Sequence, residues 1–208
     1  MSTLKIQETV SLEILAEAYT YKKYSTLVGS LFEDGRTTNN DNSEGMLNYT
    51  KMNIRRSQRW DKRGKLDTEL TERLAGFPRD MIWLVLTEGW CGDAAQSLPF
   101  IHKMAAASGN IQLKLILRDQ HPEVMDRFLT NGSKSVPKLI ALDAETVEVI
   151  GEWGPRPVIA QTTYLSERAN PEIENSKATE NLHLWYARDK GQTLQQEFLT
   201  LLDEWANK

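Results

Sequence analysis

The chain has a single cysteine, Cys91, and its position predicts a reactive thiol. Cys91 follows an uninterrupted apolar run from Met81 to Leu86, which is typical of a central strand covered on both faces. It precedes an alanine-rich segment, Ala94 to Ala107, whose apolar residues have helical spacing. Because a helix N-terminus carries unpaired N–H groups and a partial positive charge, a cysteine there is stabilised as the thiolate. The alternative is a small buried hydrophobic residue, the commoner fate of a free cysteine.

Charged residues near Cys91 act on its ionisation in opposite directions. Asp93 and Glu88 place negative charge close to the sulfur and oppose formation of the thiolate. Lys138 would offset them if its side chain points toward Cys91, which strand alternation alone does not decide. We therefore expect no strong lowering of the Cys91 pKa.

No cofactor or metal is predicted. A lone cysteine cannot form an intrachain disulfide, so any redox cycle requires a thiol from another molecule. No glycine-rich phosphate loop of either common pattern occurs, which gives no support for a nucleotide. The histidines are far apart in sequence, and no pair has the close spacing of zinc ligands. They are His102, His121 and His183.

The composition predicts an ordinary soluble globular protein. Of 208 residues, 40% are hydrophobic and 26% charged, and the net charge of -4 argues against nucleic acid as a partner. Charged residues interrupt the apolar positions of the first twenty residues, and no later run is long enough to span a membrane. Those charges are Lys5, Glu8, Glu13 and Glu17. We therefore predict a cytoplasmic protein that does not bind a membrane.

Residues 1–78 are predicted to form a helical extension that packs on the main domain. Apolar residues at three- and four-residue steps predict one or two helices over 10–33 and another over 46–60. A short helix is predicted over 68–74. The polar sequence of residues 34–45, DGRTTNNDNSEG, predicts a loop.

Residues 79–208 are predicted to form the main α/β domain around a mixed sheet. The first strand, the helix after Cys91 and a second strand make a βαβ unit, and two later strands have hairpin spacing. One additional C-terminal helix is predicted to close the chain. The predicted elements after Ala107 are a strand at 111–117, a helix at 121–129, strands at 136–142 and 146–150, and helices at 158–168 and about 179–205.

This order of elements resembles that of thioredoxin over residues 81–154. Trp90-Cys91-Gly92-Asp93-Ala94 stands where thioredoxins have Trp-Cys-Gly-Pro-Cys, and Pro99 follows at the interval where that family kinks its helix. Ser135-Val136-Pro137 matches the segment whose proline is cis and lies against the cysteine. The whole chain looks most like thioredoxin-like proteins of Bacteroidetes-type bacteria. The resemblance implies a thioredoxin-like fold, a central mixed sheet flanked by helices, here with the N-terminal extension and an additional C-terminal helix.

The departures from thioredoxin limit the chemistry. Ala94 stands in the place of the resolving cysteine, so the two-thiol reductase cycle is unavailable. By the same resemblance, the family's buried carboxylate and its lysine companion correspond to Val85 and Leu115. Both polar groups that serve the second cysteine are therefore absent.

Two functions remain open. In the first, Cys91 attacks a disulfide or oxidised thiol of a protein or peptide substrate, and an external low-molecular-weight thiol releases the product. In the second, the chain is a redox-inactive thioredoxin-fold module. It binds a protein or peptide in a groove formed by Trp90, Val136 and Pro137, with help from the region of Arg156. Besides the catalytic candidate Cys91, the predicted substrate-binding residues are Trp90, Gly92, Asp93, Val136, Pro137 and Lys138.

Overall fold

The computed structural model describes residues 10–208 and contains the predicted mixed sheet. Its order is β2-β1-β3-β4, with β1 parallel to β2 and antiparallel to β3, and β3 antiparallel to β4. The prediction of a mixed α/β fold is therefore confirmed. Within the described residues the strands are Met81–Thr87 (β1), Ile111–Leu117 (β2), Lys138–Asp143 (β3) and Val149–Trp153 (β4).

Helices surround this sheet. The first four described helices precede its first strand in the chain, and the others lie between or after its strands. None of the helices in residues 10–208 is both long and apolar enough to cross a membrane. The described helices are Leu12–Glu17 (α1), Tyr21–Glu33 (α2), Glu44–Arg63 (α3), Thr68–Ala75 (α4), Gly92–Ala107 (α5), Pro122–Met125 (α6), Val158–Ala169 (α7), Asn175–Asp189 (α8) and Gln192–Ala206 (α9).

The central strands β1 and β3 are buried because nearly every residue in them is apolar. On one face of the sheet, the Trp83 ring lies 5.2 Å from Phe198 and 6.0 Å from Trp205, measured between ring centroids. Trp205 also lies against Gly151 of β4, where a Cβ would come within 2.1 Å of the indole nitrogen. Helix α9 is thus part of the main core.

The N-terminal helices share this core. Trp60 of α3 packs 5.3 Å from the Phe100 ring of α5 and donates its indole N–H to Gln96 at 2.5 Å. Tyr19 exchanges two backbone hydrogen bonds with Leu115, at 2.8 and 2.9 Å, along the edge of β2. The domain division at residue 78 stays a prediction, and residues 1–9 of the predicted extension, with Lys5 and Glu8, lie outside the described part of the chain.

The single C-terminal helix predicted over about 179–205 is two helices, α8 and α9. The break falls at Lys190 and Gly191, whose φ angles are 55° and 81°. The Asp189 carboxylate accepts hydrogen bonds from the N–H groups of Gly191 and Thr193, which caps the start of α9. Side-chain periodicity continues through the break, so the pattern alone did not reveal it.

The helix after β2 and the last strand are among the other elements that differ in extent from the prediction. The helix predicted over 121–129 is helical only over Pro122–Met125. The last strand begins at Val149 instead of residue 146, because the Asp143 carboxylate accepts hydrogen bonds from the N–H groups of Glu145 and Thr146 and extends the turn. Val147 in this turn has a φ of 60°.

We predict that Trp205→Ala lowers the free energy of unfolding by about 3–5 kcal/mol, because it leaves a large cavity against Trp83 and Phe198. Urea unfolding followed by circular dichroism measures the change. Trp185→Ala is the control, since Trp185 is half-buried in the small cluster between α7 and α8. Equal losses in the two variants would contradict a core role for α9.

Candidate functional site

Cys91 is the N-cap residue of α5, at the end of the loop that follows β1. Its sulfur accepts a hydrogen bond from the Ala94 N–H at 3.5 Å and donates one to the Val136 carbonyl at 3.1 Å. The side chain is 7% exposed. A thiol that donates to a carbonyl is protonated, so this geometry holds Cys91 in its less nucleophilic form.

The electrostatic environment also favours the protonated thiol. Burial is the largest effect and, with the negative charge of Asp93, raises the pKa of Cys91 to about 12. The N–H groups of Ala94 and Asp93 and the charge of Arg156 act in the opposite direction but are outweighed. The helix end therefore does not produce a thiolate here, in agreement with the expectation that the pKa is not strongly lowered.

Val136 and Pro137 form the surface against Cys91 on the β3 side. Both side chains are buried, and the peptide bond between them is cis. Gly154, with a φ of 118°, lies over this segment so closely that a Cβ would come within 2.2 Å of the Pro137 carbonyl oxygen. The segment that the resemblance assigns to substrate contact is therefore in contact with the chain itself.

The Asp93 carboxylate is the centre of a buried polar network. Arg156 donates to its two oxygens at 2.9 and 2.6 Å, in a bidentate ion pair, and the Tyr186 hydroxyl donates at 2.7 Å. Arg156 also donates to Gln161 and lies 4.8 Å from the Tyr164 ring. The network joins the first turn of α5 to the loop before α7 and to α8.

Helices α3 and α8 cover Gly92. A Cβ on Gly92 would come within 2.7 Å of the His183 ring and 3.5 Å of the Arg56 guanidinium. Burial, followed by the nearby positive charge of Arg56, lowers the pKa of His183 to about 4, so this imidazole is neutral at pH 7. The predicted contact residue Gly92 thus faces a neutral ring of the same chain.

Comparison with known proteins agrees with this fold. A protein-family model described as thioredoxin matches residues 39–177. The chain belongs to the thioredoxin family. Its fold is similar to that of an HIV epitope scaffold, at 19% identity and a TM-score of 0.56, over 92% of this chain and 96% of the scaffold. It is also similar to a Pseudomonas aeruginosa protein of unknown function, at 19% identity and a TM-score of 0.51, over 89% and 96% of the two chains. No curated protein matches.

Two core positions where the resemblance expects polar groups are apolar. Val85 and Leu115, which stand where the resemblance expects a carboxylate and a lysine, are fully buried and are partners in the parallel register of β1 and β2. Ala94 is 1% exposed. The interior next to the thiol therefore holds no group at these positions that could move a proton.

Trp90 and Lys138 lie beside the site but do not contact the sulfur by hydrogen bonds. Trp90 is half-buried, the Arg118 guanidinium lies 4.8 Å from its ring, and its indole N–H has no acceptor in the described part of the chain. Lys138 pairs with Glu152 at 2.6 Å. The cation that influences Cys91 is Arg156, so the offsetting role considered for Lys138 falls to a different residue.

Glu88 is a buried carboxylate in the loop before Cys91. It accepts hydrogen bonds from the Thr38 hydroxyl and from the Asp119 N–H, the latter at 3.0 Å. Burial raises its pKa to about 7, since these hydrogen bonds offset only part of the desolvation. Sequence reasoning considered Glu88 as a charge near Cys91 but did not predict that Thr38 of the N-terminal region would bind it.

Sequence reasoning missed Tyr186, His183 and Arg56 as members of the site, and included Arg156 only as part of a region. Tyr186 and Asp93 are separated by 93 positions, and His183 was considered as a metal ligand, which its spacing argued against. No local spacing joins them to Cys91, so the tertiary fold alone brings these residues together.

We predict that native Cys91 is alkylated slowly by iodoacetamide, with a midpoint well above the ordinary value of about 8.5. Asp93→Asn removes a negative charge and leaves Arg156 unneutralised, so the midpoint falls and the rate at pH 8 rises. Glu72→Gln, an exposed charge change on α4, is the control. A wild-type midpoint at or below the ordinary value would contradict the geometry.

We further predict a pH-dependent stability contribution from Glu88. Its native pKa of about 7 lies above the ordinary 4.5, so its contribution is fully present below pH 4.5 and is lost as the pH rises through 7. The stability of wild type relative to Glu88→Gln therefore decreases over that interval. The lowered pKa of His183 acts in both proteins and cancels in the difference. Urea titrations at several pH values measure it, and a difference independent of pH would contradict the assignment.

Proposed function

We propose that this thioredoxin-family chain is a redox-inactive module that binds a protein or peptide at the surface around Trp90. The observation that carries the proposal is the state of Cys91: a buried, protonated thiol that donates to Val136, with Ala94 at the position of the second cysteine. The alternative considered from the sequence is thus favoured over thiol exchange.

Thiol–disulfide exchange places two demands on this site that its geometry does not meet. The attacking group must be a thiolate with access to the substrate sulfur, whereas burial raises the pKa of Cys91 to about 12. A mixed disulfide must then be resolved, and because Ala94 stands in the place of the second cysteine, the site itself supplies no thiol for this step. Both points support binding without chemistry.

Trp90 supports the binding surface. The half-buried indole presents an apolar surface that suits an apolar side chain of a partner, whereas its N–H is buried and does not face the partner. Val136 and Pro137 are buried, with Gly154 against Pro137, so they would support this surface from beneath without contacting the partner. The Arg118 guanidinium lies 4.8 Å from the Trp90 ring and pairs with Asp119 at 2.8 Å, so an ion pair lies at the edge of this surface.

Monothiol exchange is the second candidate, because the Cys91 sulfur caps α5 and lines a surface cavity. In that cycle Cys91 would attack a disulfide, form a mixed disulfide and release one thiol. An external low-molecular-weight thiol would then attack the mixed disulfide, restore Cys91 and carry away the bound half as a new disulfide. The electron balance requires that external thiol as the reductant.

We also propose a cytoplasmic location, with neither nucleic acid nor membrane as a partner. A single unpaired cysteine is typical of reducing compartments, and the net charge of -4 disfavours binding to phosphate backbones.

The two candidates give opposite results in one comparison. We predict that wild type reduces a peptide disulfide in the presence of glutathione no faster than Cys91→Ala does. A peptide selected from a display library on Cys91→Ala is expected to bind wild type equally well and Trp90→Ala about tenfold or more weakly, as for a central aromatic contact. Calorimetry measures the affinities, and Trp185→Ala is the matched control.

Turnover that depends on Cys91 would overturn the proposal in favour of monothiol exchange. Equal binding by Trp90→Ala would also overturn it, because the partner would then bind elsewhere.

A further inference from the structure

A cavity of about 90 Å³ lies between the N-terminal helices and the start of α5. It is formed jointly by α2 and α3 on one side and by the Cys91 loop and α5 on the other. The lining residues on which the inference depends are Tyr21, Val28, Ile54, Asp61, Glu88 and Cys91.

The cavity has an apolar inner wall and a polar opening. Val28, Cys91 and Leu98 are buried and form part of the inner wall. Asp61 and Ser25 are exposed, which places the opening at the surface between α2 and α3. A ligand would therefore enter between these helices with its apolar end first.

The charges that line the cavity are all of one sign. Asp61 at the opening and Glu88 inside are its acidic residues, and no lysine, arginine or histidine of the described chain lines it. Neither carboxylate forms a salt bridge with another residue among 10–208. The Tyr21 hydroxyl donates to one Asp61 oxygen at 2.9 Å and orients that carboxylate.

We propose that this cavity binds a small organic cation, an alkylammonium whose apolar body contacts Val28 and Leu98 and whose ammonium group pairs with Asp61. Pairing at the opening costs the least desolvation for both ions, and Glu88 farther in, whose pKa burial raises to about 7, adds a partial negative charge at neutral pH. The Asp61 carboxylate and the partly ionised Glu88 disfavour an anion in the same space. Ligand binding at this cavity is independent of the surface around Trp90 and of any exchange reaction at Cys91.

The volume limits the size of the ligand. It is smaller than the ~150 Å³ cavity that holds a benzene ring. A branched alkyl group of about three carbons, an isopropyl group, therefore fills it, with a methylene and the ammonium group at the opening.

Three molecules of similar shape test the proposal by calorimetry: 2-methylpropylammonium, 2-methylpropanol and 2-methylpropanoate. We expect saturable binding of the amine, with the alcohol about tenfold or more weaker, because a charge-assisted hydrogen bond is lost. The carboxylate is expected not to bind. The bound amine is also expected to slow alkylation of Cys91, which lies on the inner wall.

Variants locate the binding site. Asp61→Asn is expected to weaken the amine about tenfold and to leave the alcohol unchanged, whereas the remote control Glu72→Gln changes neither. Ile54→Trp is expected to block the opening and abolish both. Cys91→Ala is expected to retain amine binding, which separates this result from the test of the proposed function.

Equal affinity for amine and alcohol, no saturation by the amine below about 10 mM, or unchanged binding in Asp61→Asn would each overturn the proposal.

Discussion

The ion pair between Asp93 and Arg156 is the interaction on which the arrangement of this site depends. A carboxylate buried in the first turn of a helix needs a partner, and Arg156 and Tyr186 supply three hydrogen bonds to it. To make those bonds, the loop before α7 and the helix α8 must lie against α5. The same contact brings His183 over Gly92 and leaves Cys91 beside a negative charge that is only partly compensated.

The hydrogen-bond network around Asp93 determines how α7 and α8 are attached to the rest of the fold. Their apolar contacts form a small cluster of their own, around Ala160, Leu182 and Tyr186, separate from the main core. The hydrogen bonds to Asp93 therefore fix the position of α8 over the site with little help from core packing. A buried ion pair is weak evidence for stability but specifies one arrangement, because any other position leaves charges without partners.

The residues that could be predicted are those with a local signal. The sequence alone predicted the apolar strand β1, the helix α5 and the position of Cys91 between them. The family resemblance followed from these features. The hydrogen-bond partners of Asp93 could not be predicted from the sequence. Tyr186 lies on a helix whose periodicity indicates how that helix packs but does not indicate a contact with a residue 93 positions away. The break at Gly191 was missed for a related reason: its positive φ is a property of one residue that the apolar pattern crosses unchanged.

The Cys91 side chain is covered by the protein on one side and lines a cavity on the other. Toward β3 and α8 the thiol is covered, by Val136 through a hydrogen bond and by the network around Asp93. Toward α2 and α3 it lines a cavity, whose wall exists because Thr38 binds both Glu88 and the Gly89 N–H and so ties the N-terminal region to the cysteine loop. The covered side includes Val136 and Pro137, the segment that the resemblance to thioredoxin assigns to substrate contact. Ala94, Val85 and Leu115 stand in the places of the second thiol and its polar partners, so covering that side blocks no two-thiol reaction. The N-terminal helices form the cavity on the other side, where a ligand can bind.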